Sequence, residues 1–302
     1  MSHSDHHHHH SHNIVNEKNL IITMFLNFLI TVVELIGGIL SGSLSLISDA
    51  LHNFSDGIAV IITFIAIRLS NKPKTFKHTF GFKRAEIIAA VINAATLIII
   101  SIYLIKEAII RFYEPNFIEG TLMIIVASIG FIANSIGTFL LNKGKKDNIN
   151  IKAAYLHLLS DAISSLGVII GAIFIIYFEI YWIDPLLTII ISVYILRESY
   201  IIVKQAVEVI MMFTPKEIDI EELTKVIGTF KGVKNIHHIH LWKLNDTDTH
   251  FEAHVETEDI KVSETIIIQQ TIEKYLHDKY EINHSTLQFE CGRCDFNNDY
   301  KI

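Results

Sequence analysis

Six long apolar stretches dominate the first two-thirds of the chain. Each has about the 20 residues that a helix needs to cross the hydrocarbon core of a bilayer. The predicted spans are Leu20–Leu40, Leu44–Leu69, Ala85–Phe112, Phe117–Leu141, Ala153–Phe178 and Ile183–Val203. Charged residues concentrate in the remaining part of the chain. The pattern therefore predicts an α-helical membrane protein with six transmembrane helices, followed by a soluble domain.

The soluble part alternates between helical and strand periodicity. An amphipathic helix is predicted first, then two strands joined by the turn Asn245–Asp248, then a second helix and a third strand. The predicted elements are Ile218–Phe230, Val233–Leu244, Thr249–Thr257, Val262–Tyr280 and Ile282–Glu290. This αββαβ order predicts a small ferredoxin-like α+β domain with its helices on one face of the sheet.

Lys and Arg residues between the spans are concentrated in two connections. The segment after the second span carries Arg68, Lys72, Lys74, Lys77, Lys83 and Arg84, and the segment after the fourth carries Lys143, Lys145, Lys146 and Lys152. Because positive charge stays on the cytoplasmic side, both segments and both termini are predicted to be cytoplasmic. The abundance of isoleucine and the lack of organelle signals favour a prokaryotic cytoplasmic membrane.

The composition agrees with a membrane protein. The 302 residues are 50% hydrophobic and 19% charged, whereas a soluble domain is about one-quarter charged. The mean hydropathy is +0.39. A net charge of −7 provides no basic surface for nucleic acid, and two cysteines do not build an extracellular disulfide framework.

The chain begins with a His-rich segment, MSHSDHHHHHSH. It lacks the apolar core of a signal peptide. Two interpretations stay open, a purification tag and a native tail that collects metal. Together the patterns predict three parts: a His-rich cytoplasmic tail (1–15), a transmembrane domain (16–206) and a cytoplasmic metal-binding α+β domain (207–302).

Two of the predicted spans carry the same pair of residues, His52 with Asp56 and His157 with Asp161. Residues four apart lie on one face of a helix, so each pair presents an imidazole beside a carboxylate. Two such helices facing each other would supply four ligands for a tetrahedral divalent cation. Ionisable residues are costly inside a membrane and mark functional sites. The alternative is a hydrogen-bonded cluster that locks two helices together, which would not need two carboxylates beside two imidazoles.

The ligand types limit the identity of the metal. Zn²⁺ prefers four nitrogen, sulfur or oxygen ligands, whereas Mg²⁺ and Ca²⁺ prefer shells of six or more oxygens. Imidazole therefore favours Zn²⁺, with Cd²⁺ and Co²⁺ left open. On the same face of the second span, Asp49 lies one turn from His52 and is expected to accept a hydrogen bond from that imidazole or to line the access path.

The soluble domain carries a second set of metal-binding residue types. Alternation along the first predicted strand places His238 and His240 on one face, and the hairpin is expected to set His240 opposite His254. His284 and Glu290 are six residues apart on the third strand and share a face, and Cys291 and Cys294 follow directly. The Cys-x-x-Cys pair could instead be a redox pair, but its position beside histidines favours metal.

Several segments together resemble the cation diffusion facilitator family of zinc transporters. The stretch SLSLISDALHNFSD is similar to the second transmembrane helix of that family, and AAYLHLLSD to the fifth. The remaining similarities are in HTFGFKRAE from His78, WIDP from Trp182, HHIHLW from His237 and EAHV from Glu252. The resemblance covers nearly the whole chain.

The resemblance implies a homodimeric antiporter that exports divalent metal from the cytosol in exchange for protons. Its transport site would consist of His52, Asp56, His157 and Asp161, a combination typical of the zinc transporters in the family. The cytoplasmic zinc site would draw on His240, His254, His284, Glu290, Cys291 and Cys294. Unlike many eukaryotic relatives, this chain has no histidine in the connection Asn142–Lys152.

Two other classes of protein remain as alternatives. A membrane-embedded zinc hydrolase would keep one coordination position open for water, whereas four ligands close the shell. A passive metal channel needs weak binding at several positions, whereas a four-ligand site binds tightly; a metal sensor without transport is a related alternative. The expected partners are therefore divalent metal ions, protons, the lipid bilayer and a second copy of the chain, and no enzyme activity is expected.

Overall fold

The computed structural model describes residues 14–142, 149–245 and 247–292. Six long helices come first: α1 (Ile14–Ser41), α2 (Leu44–Ser70), α3 (Ala85–Tyr113), α4 (Gly120–Leu141), α5 (Ile149–Phe178) and α6 (Ile183–Ile210). Helices α2 to α6 are long and apolar enough to span a membrane, and α1 contributes the shorter apolar segment Asn27–Ser41. The predicted helical membrane fold is confirmed. The His run of the N-terminal tail, part of the charged segment after α4, and Cys294 lie outside the described residues.

The described residues form two compact units, one drawn from the ranges 14–61 and 93–200 and the other from 62–92 and 201–292. In the first unit, small residues let helices approach closely, as is common in membranes. A Cβ atom on Gly37 of α1 would overlap Val126 of α4. A buried cluster that includes Met123, Ala127 and Val168 joins α4 to α5. The outward faces carry exposed apolar side chains, as expected of helices that contact lipid.

Helix α2 begins on a buried carboxylate at the start of α6. Asp184 is fully buried and accepts hydrogen bonds from the hydroxyls of Ser43 (2.6 Å) and Ser45 (2.5 Å). It also accepts from the backbone amides of Leu44 (2.8 Å) and Ser45 (3.2 Å). The first amides of a helix have no partner within the helix. Asp184 therefore caps α2 and fixes its position relative to α6.

The second unit contains the α+β domain, with elements in the predicted order: α7 (Ile220–Ile227), β1 (Asn235–Lys243), β2 (Thr249–Glu256), α8 (Val262–Tyr280) and β3 (His284–Glu290). The sheet order is β1-β2-β3, with β1 antiparallel and β3 parallel to β2. Apolar side chains of both helices, including Leu223 and Ile272, pack against Phe251 and Val255 of the sheet. The predicted α+β domain is confirmed.

Strand β1 contains a β-bulge that the simple alternation of the sequence did not predict. His237 pairs with His254, but the next aligned pair is His240 with Glu252, so the register shifts between them. The expectation that His240 lies opposite His254 is therefore wrong. The extra residue keeps both Ile236 and Ile239 buried in the core, although they are three residues apart.

The segment between α2 and α3 contacts the α+β domain within the second unit. The Phe80 ring lies edge-on to the His250 ring, with centroids 5.5 Å apart. Lys83 Nζ lies 3.1 Å from Asp248 Oδ2. His250 is only 7% exposed and stacks on Trp242. Burial lowers the pKa of His250 most, and the charge of the neighbouring His284 lowers it further.

Candidate metal centres

The two predicted intramembrane pairs come together in the first unit. His52 and Asp56 lie on α2, and His157 and Asp161 lie on α5. Asp56 Oδ2 is 3.5 Å from His52 Nε2 and 3.6 Å from His157 Nε2. His157 Nε2 is also 3.6 Å from Asp161 Oδ2. The structure thus brings all four side chains into one cluster between the two helices.

The spacing of these atoms suits a tetrahedral cation. Zinc bonds to histidine nitrogen and carboxylate oxygen at about 2.0–2.2 Å, so neighbouring ligand atoms stand about 3.3–3.5 Å apart. The observed contacts of 3.5 and 3.6 Å are close to that value. One ligand atom from each of His52, His157 and Asp161 lies within 4.8 Å of the others. Small side-chain adjustments would therefore close a shell of two nitrogens and two oxygens.

Burial differs among the four side chains. The Asp161 side chain is 4% exposed, whereas those of His52, Asp56 and His157 are 21%, 29% and 35% exposed. Asp161 Oδ2 and His52 Nδ1 are buried without a hydrogen-bond partner in the described part of the chain. Buried polar atoms nearly always have a partner. An orphaned carboxylate oxygen beside two imidazoles therefore fits a site that binds a cation.

Further buried polar residues surround the cluster. Asp49 Oδ1 accepts a hydrogen bond from Ser164 Oγ (3.0 Å), which links α2 to α5. The expected hydrogen bond between Asp49 and His52 is absent from the described contacts, since His52 Nδ1 has no partner there. Glu34 of α1 is fully buried, and a Cβ atom on Gly130 would overlap its Oε1. Asn53, which is also buried, was not singled out from the sequence.

A second cluster forms on the sheet of the α+β domain, with one residue from each strand. His237 Nε2 lies 2.8 Å from Glu290 Oε1, and His254 Nδ1 lies 3.3 Å from the same oxygen. One ligand atom of each residue lies within 4.8 Å of the other two. Two imidazoles and a carboxylate again form a set that suits zinc.

Only part of the cytoplasmic set predicted from the sequence belongs to this cluster. His254 and Glu290 are members, and the exposed Cys291 follows Glu290. His240 lies opposite Glu252, and His284 packs against His250 with ring centroids 4.2 Å apart. Cys294 lies outside the described residues. His237 was missed because the bulge decides which side chains of β1 face the other ligands. The only indication in the sequence was that His237 is adjacent to His238 in HHIH.

Six long helices, of which five are apolar enough to span a membrane, an intramembrane cluster of residue types that bind metal, and a small α+β domain define a multi-pass membrane protein with a candidate site for metal cations. The cation efflux transmembrane domain matches residues 20–211, and the cation efflux protein cytoplasmic domain matches residues 215–291. The chain belongs to the cation efflux family. Its relatives are transporters, so the expectation of a transporter rather than an enzyme is confirmed.

Similar proteins come from several bacteria. A cadmium, cobalt and zinc/H⁺-K⁺ antiporter of Bacillus subtilis is 39% identical over 91% of this chain and 89% of its own length. The zinc transporter ZitB of Pectobacterium atrosepticum is 37% identical over 93% and 87%, and the metal cation efflux system protein CzcD of Cupriavidus metallidurans is 36% identical over 93% and 88%.

One solved structure is similar to part of the chain. The metal-bound C-terminal domain of the CzcD transporter from Cupriavidus metallidurans is 32% identical, covering 24% of this chain and 99% of that domain, with a TM-score of 0.22.

Proposed function

We propose that this protein exports Zn²⁺, or a divalent metal of similar chemistry, from the cytosol in exchange for protons. The convergence of His52, Asp56, His157 and Asp161 between α2 and α5 carries the proposal. The printed names of the similar bacterial proteins support it, because they specify zinc, cadmium and cobalt and, for the Bacillus subtilis protein, H⁺ and K⁺.

The four side chains would couple the metal to protons by competition. An imidazole must be neutral and a carboxylate ionised to bind a metal, so protons and metal exclude each other from the site. Metal enters when the cluster is open to the cytosol. When the helices rearrange and open the cluster to the other side, protons displace the metal. Proton flow into the cell would thereby drive metal flow out of it.

The α+β domain would act as a second metal centre. His237, His254 and Glu290 would hold a metal ion there, and Cys291 lies next to the set. We place this domain and both termini in the cytoplasm, on the side where positive charge is concentrated in the sequence. Two copies of the chain would associate through this domain, and bound metal would bias the transporter between its conformations.

The proposal can be tested by zinc uptake into inside-out membrane vesicles. An acidic vesicle interior should drive uptake by the parent protein, because protons leave as zinc enters. Asp161→Asn should abolish uptake, because the proposed ligand loses its charge while keeping its shape. Glu198→Gln is the matched control, since Glu198 is an exposed carboxylate paired only with Arg197 among its charged contacts in the described chain.

Three outcomes separate the alternatives. Uptake by Asp161→Asn at the parent rate would contradict the assignment of the site. Zinc flux in the parent that ignores the imposed pH gradient would favour a passive channel. Zinc that binds to the protein without crossing the membrane would favour a sensor.

A further inference from the structure

His238 has a backbone conformation that is unusual for a residue with a side chain. Its φ is +53°, in the left-handed region. Few non-glycine residues occupy this region, and strained residues of this kind concentrate at functional sites. His238 sits within the bulge of β1, between the two aligned pairs His237–His254 and His240–Glu252. The sheet therefore holds a histidine where a glycine would fit with less strain.

The bulge brings both neighbouring histidines of β1 to the same partner. The His254 ring lies 5.5 Å from the His237 ring and 4.7 Å from the His238 ring, measured between centroids. In a regular strand, two consecutive side chains would point to opposite faces. Here the rings of His237 and His238 both contact the His254 ring, and the next residue, Ile239, is buried in the core.

The ring separations are compatible with imidazoles that share one metal ion, and the 4.9 Å between the His238 and His240 rings shows that packing alone gives a similar value. With a zinc–nitrogen bond of about 2.0 Å and tetrahedral angles, two coordinated imidazole rings have centroids about 5 Å apart. The distances of 5.5 and 4.7 Å lie on either side of that value. The cluster of His237, His254 and Glu290 supplies three ligands, whereas structural zinc sites are almost always closed by four.

We propose that His238 is the fourth ligand of the cytoplasmic metal site, and that the β-bulge exists to deliver it. The inference rests on the proposed metal site of the α+β domain. His238 is not among the residues whose ligand atoms already converge, so its ring would have to rotate about its side-chain bonds to turn a nitrogen toward the ion. The resulting shell has three imidazoles and one carboxylate, which is a ligand set for Zn²⁺ or Co²⁺.

The proposal can be tested by measuring the zinc affinity of the full-length protein in detergent. All variants carry Asp161→Ala as a background substitution, which removes zinc binding at the intramembrane cluster. His238→Gly is the informative variant because glycine adopts a positive φ without strain, so the sheet should fold. We expect zinc affinity to fall at least tenfold, about the smallest loss seen when even an indirect partner of a metal ligand is removed. His277→Ala is the control, because this exposed histidine of α8 lies beside Asp278 and outside the cluster, and it should bind zinc like the background.

A count of the ligands gives a second readout. X-ray absorption of the zinc-loaded background protein should show three imidazoles, and His238→Gly should show two. An unchanged affinity and imidazole number in His238→Gly, with strong loss in His254→Ala, would overturn the role of His238 and leave the three-residue site standing. No loss of zinc in His237→Ala or His254→Ala would overturn the site itself, and the inference with it.

Discussion

At the residue scale, the intramembrane cluster depends on close contacts that leave no room for extra atoms. Glu34 is fully buried in α1, and its carboxylate lies directly against the backbone of Gly130 in α4. Any side chain at position 130 would have to displace this buried carboxylate. Gly130 is therefore a position at which a single methyl group should matter.

We expect Gly130→Ala to destabilise the protein by about 1–3 kcal/mol, the usual cost of overpacking a well-packed interior. Gly167→Ala in α5 is the control, because its Cβ would contact only Leu187 Cδ2, at 4.0 Å. Thermal unfolding in detergent measures the difference. Equal stability of the two variants would mean that Glu34 moves away from Gly130 freely.

The residue scale also shows what the sequence could and could not predict. The pairing of His52 with Asp56 can be predicted, because the i, i+4 geometry of a helix fixes the relation of the two residues before any tertiary contact is known. The partner of Asp49 cannot be predicted in this way, because Ser164 is on another helix and only packing decides which polar neighbour is near. Asn53 belongs to neither His-x-x-x-Asp pair, so the spacing of the ligands in the sequence did not point to it.

At the element scale, the start of α2 and the bulge within β1 determine where the proposed metal ligands lie. Asp184 sets the start of α2, and hence the height of His52 and Asp56, through bonds to Ser43, Leu44 and Ser45. The bulge in β1 decides which histidines face β2. The alternation of apolar and polar residues predicts the strands of the domain but not the bulge. One inserted residue moves every following side chain to the opposite face, so an alternation pattern read without the bulge assigns the wrong histidines to each face.

We expect Asp184→Asn to destabilise the protein by about 1–3 kcal/mol, because the amide nitrogen cannot accept hydrogen bonds from the hydroxyls and amides at the start of α2. Zinc affinity at the intramembrane cluster should fall less than in Asp56→Ala, since no ligand is removed. Thermal unfolding together with zinc titration checks both expectations. Full loss of zinc binding with unchanged stability would instead make Asp184 a ligand.

The α+β domain should lose stability as the solution becomes acidic. Burial and the nearby His284 lower the pKa of His250 below its ordinary value of about 6.5. The unfolded chain therefore takes up a proton at a higher pH than the folded one, so stability is present above about pH 6.5 and decreases as the pH falls toward the folded-state pKa.

His250→Phe should reduce this pH dependence, since phenylalanine keeps the contacts with Phe80 and Trp242 but does not titrate. Urea unfolding at several values between about pH 5 and pH 8, monitored by tryptophan fluorescence, measures how the free energy of unfolding depends on pH. A variant with the same pH dependence as the parent would assign the effect to other groups.

At the scale of the whole molecule, the two proposed metal centres belong to different compact units. One centre lies among membrane helices and the other on the sheet of the α+β domain. Each draws its ligands from within its own unit. Metal should therefore bind to either centre when the other has been disabled. The number of bound ions lost in a double variant should equal the sum of the losses in the two single variants.

The most direct test of the intramembrane site is the number of zinc ions that the full-length protein binds at equilibrium in detergent. The account predicts that Asp161→Ala binds one ion fewer per chain than the parent, that His254→Ala also binds one fewer, and that the double variant binds two fewer. A parent-like number of bound ions in Asp161→Ala would contradict a metal site between α2 and α5.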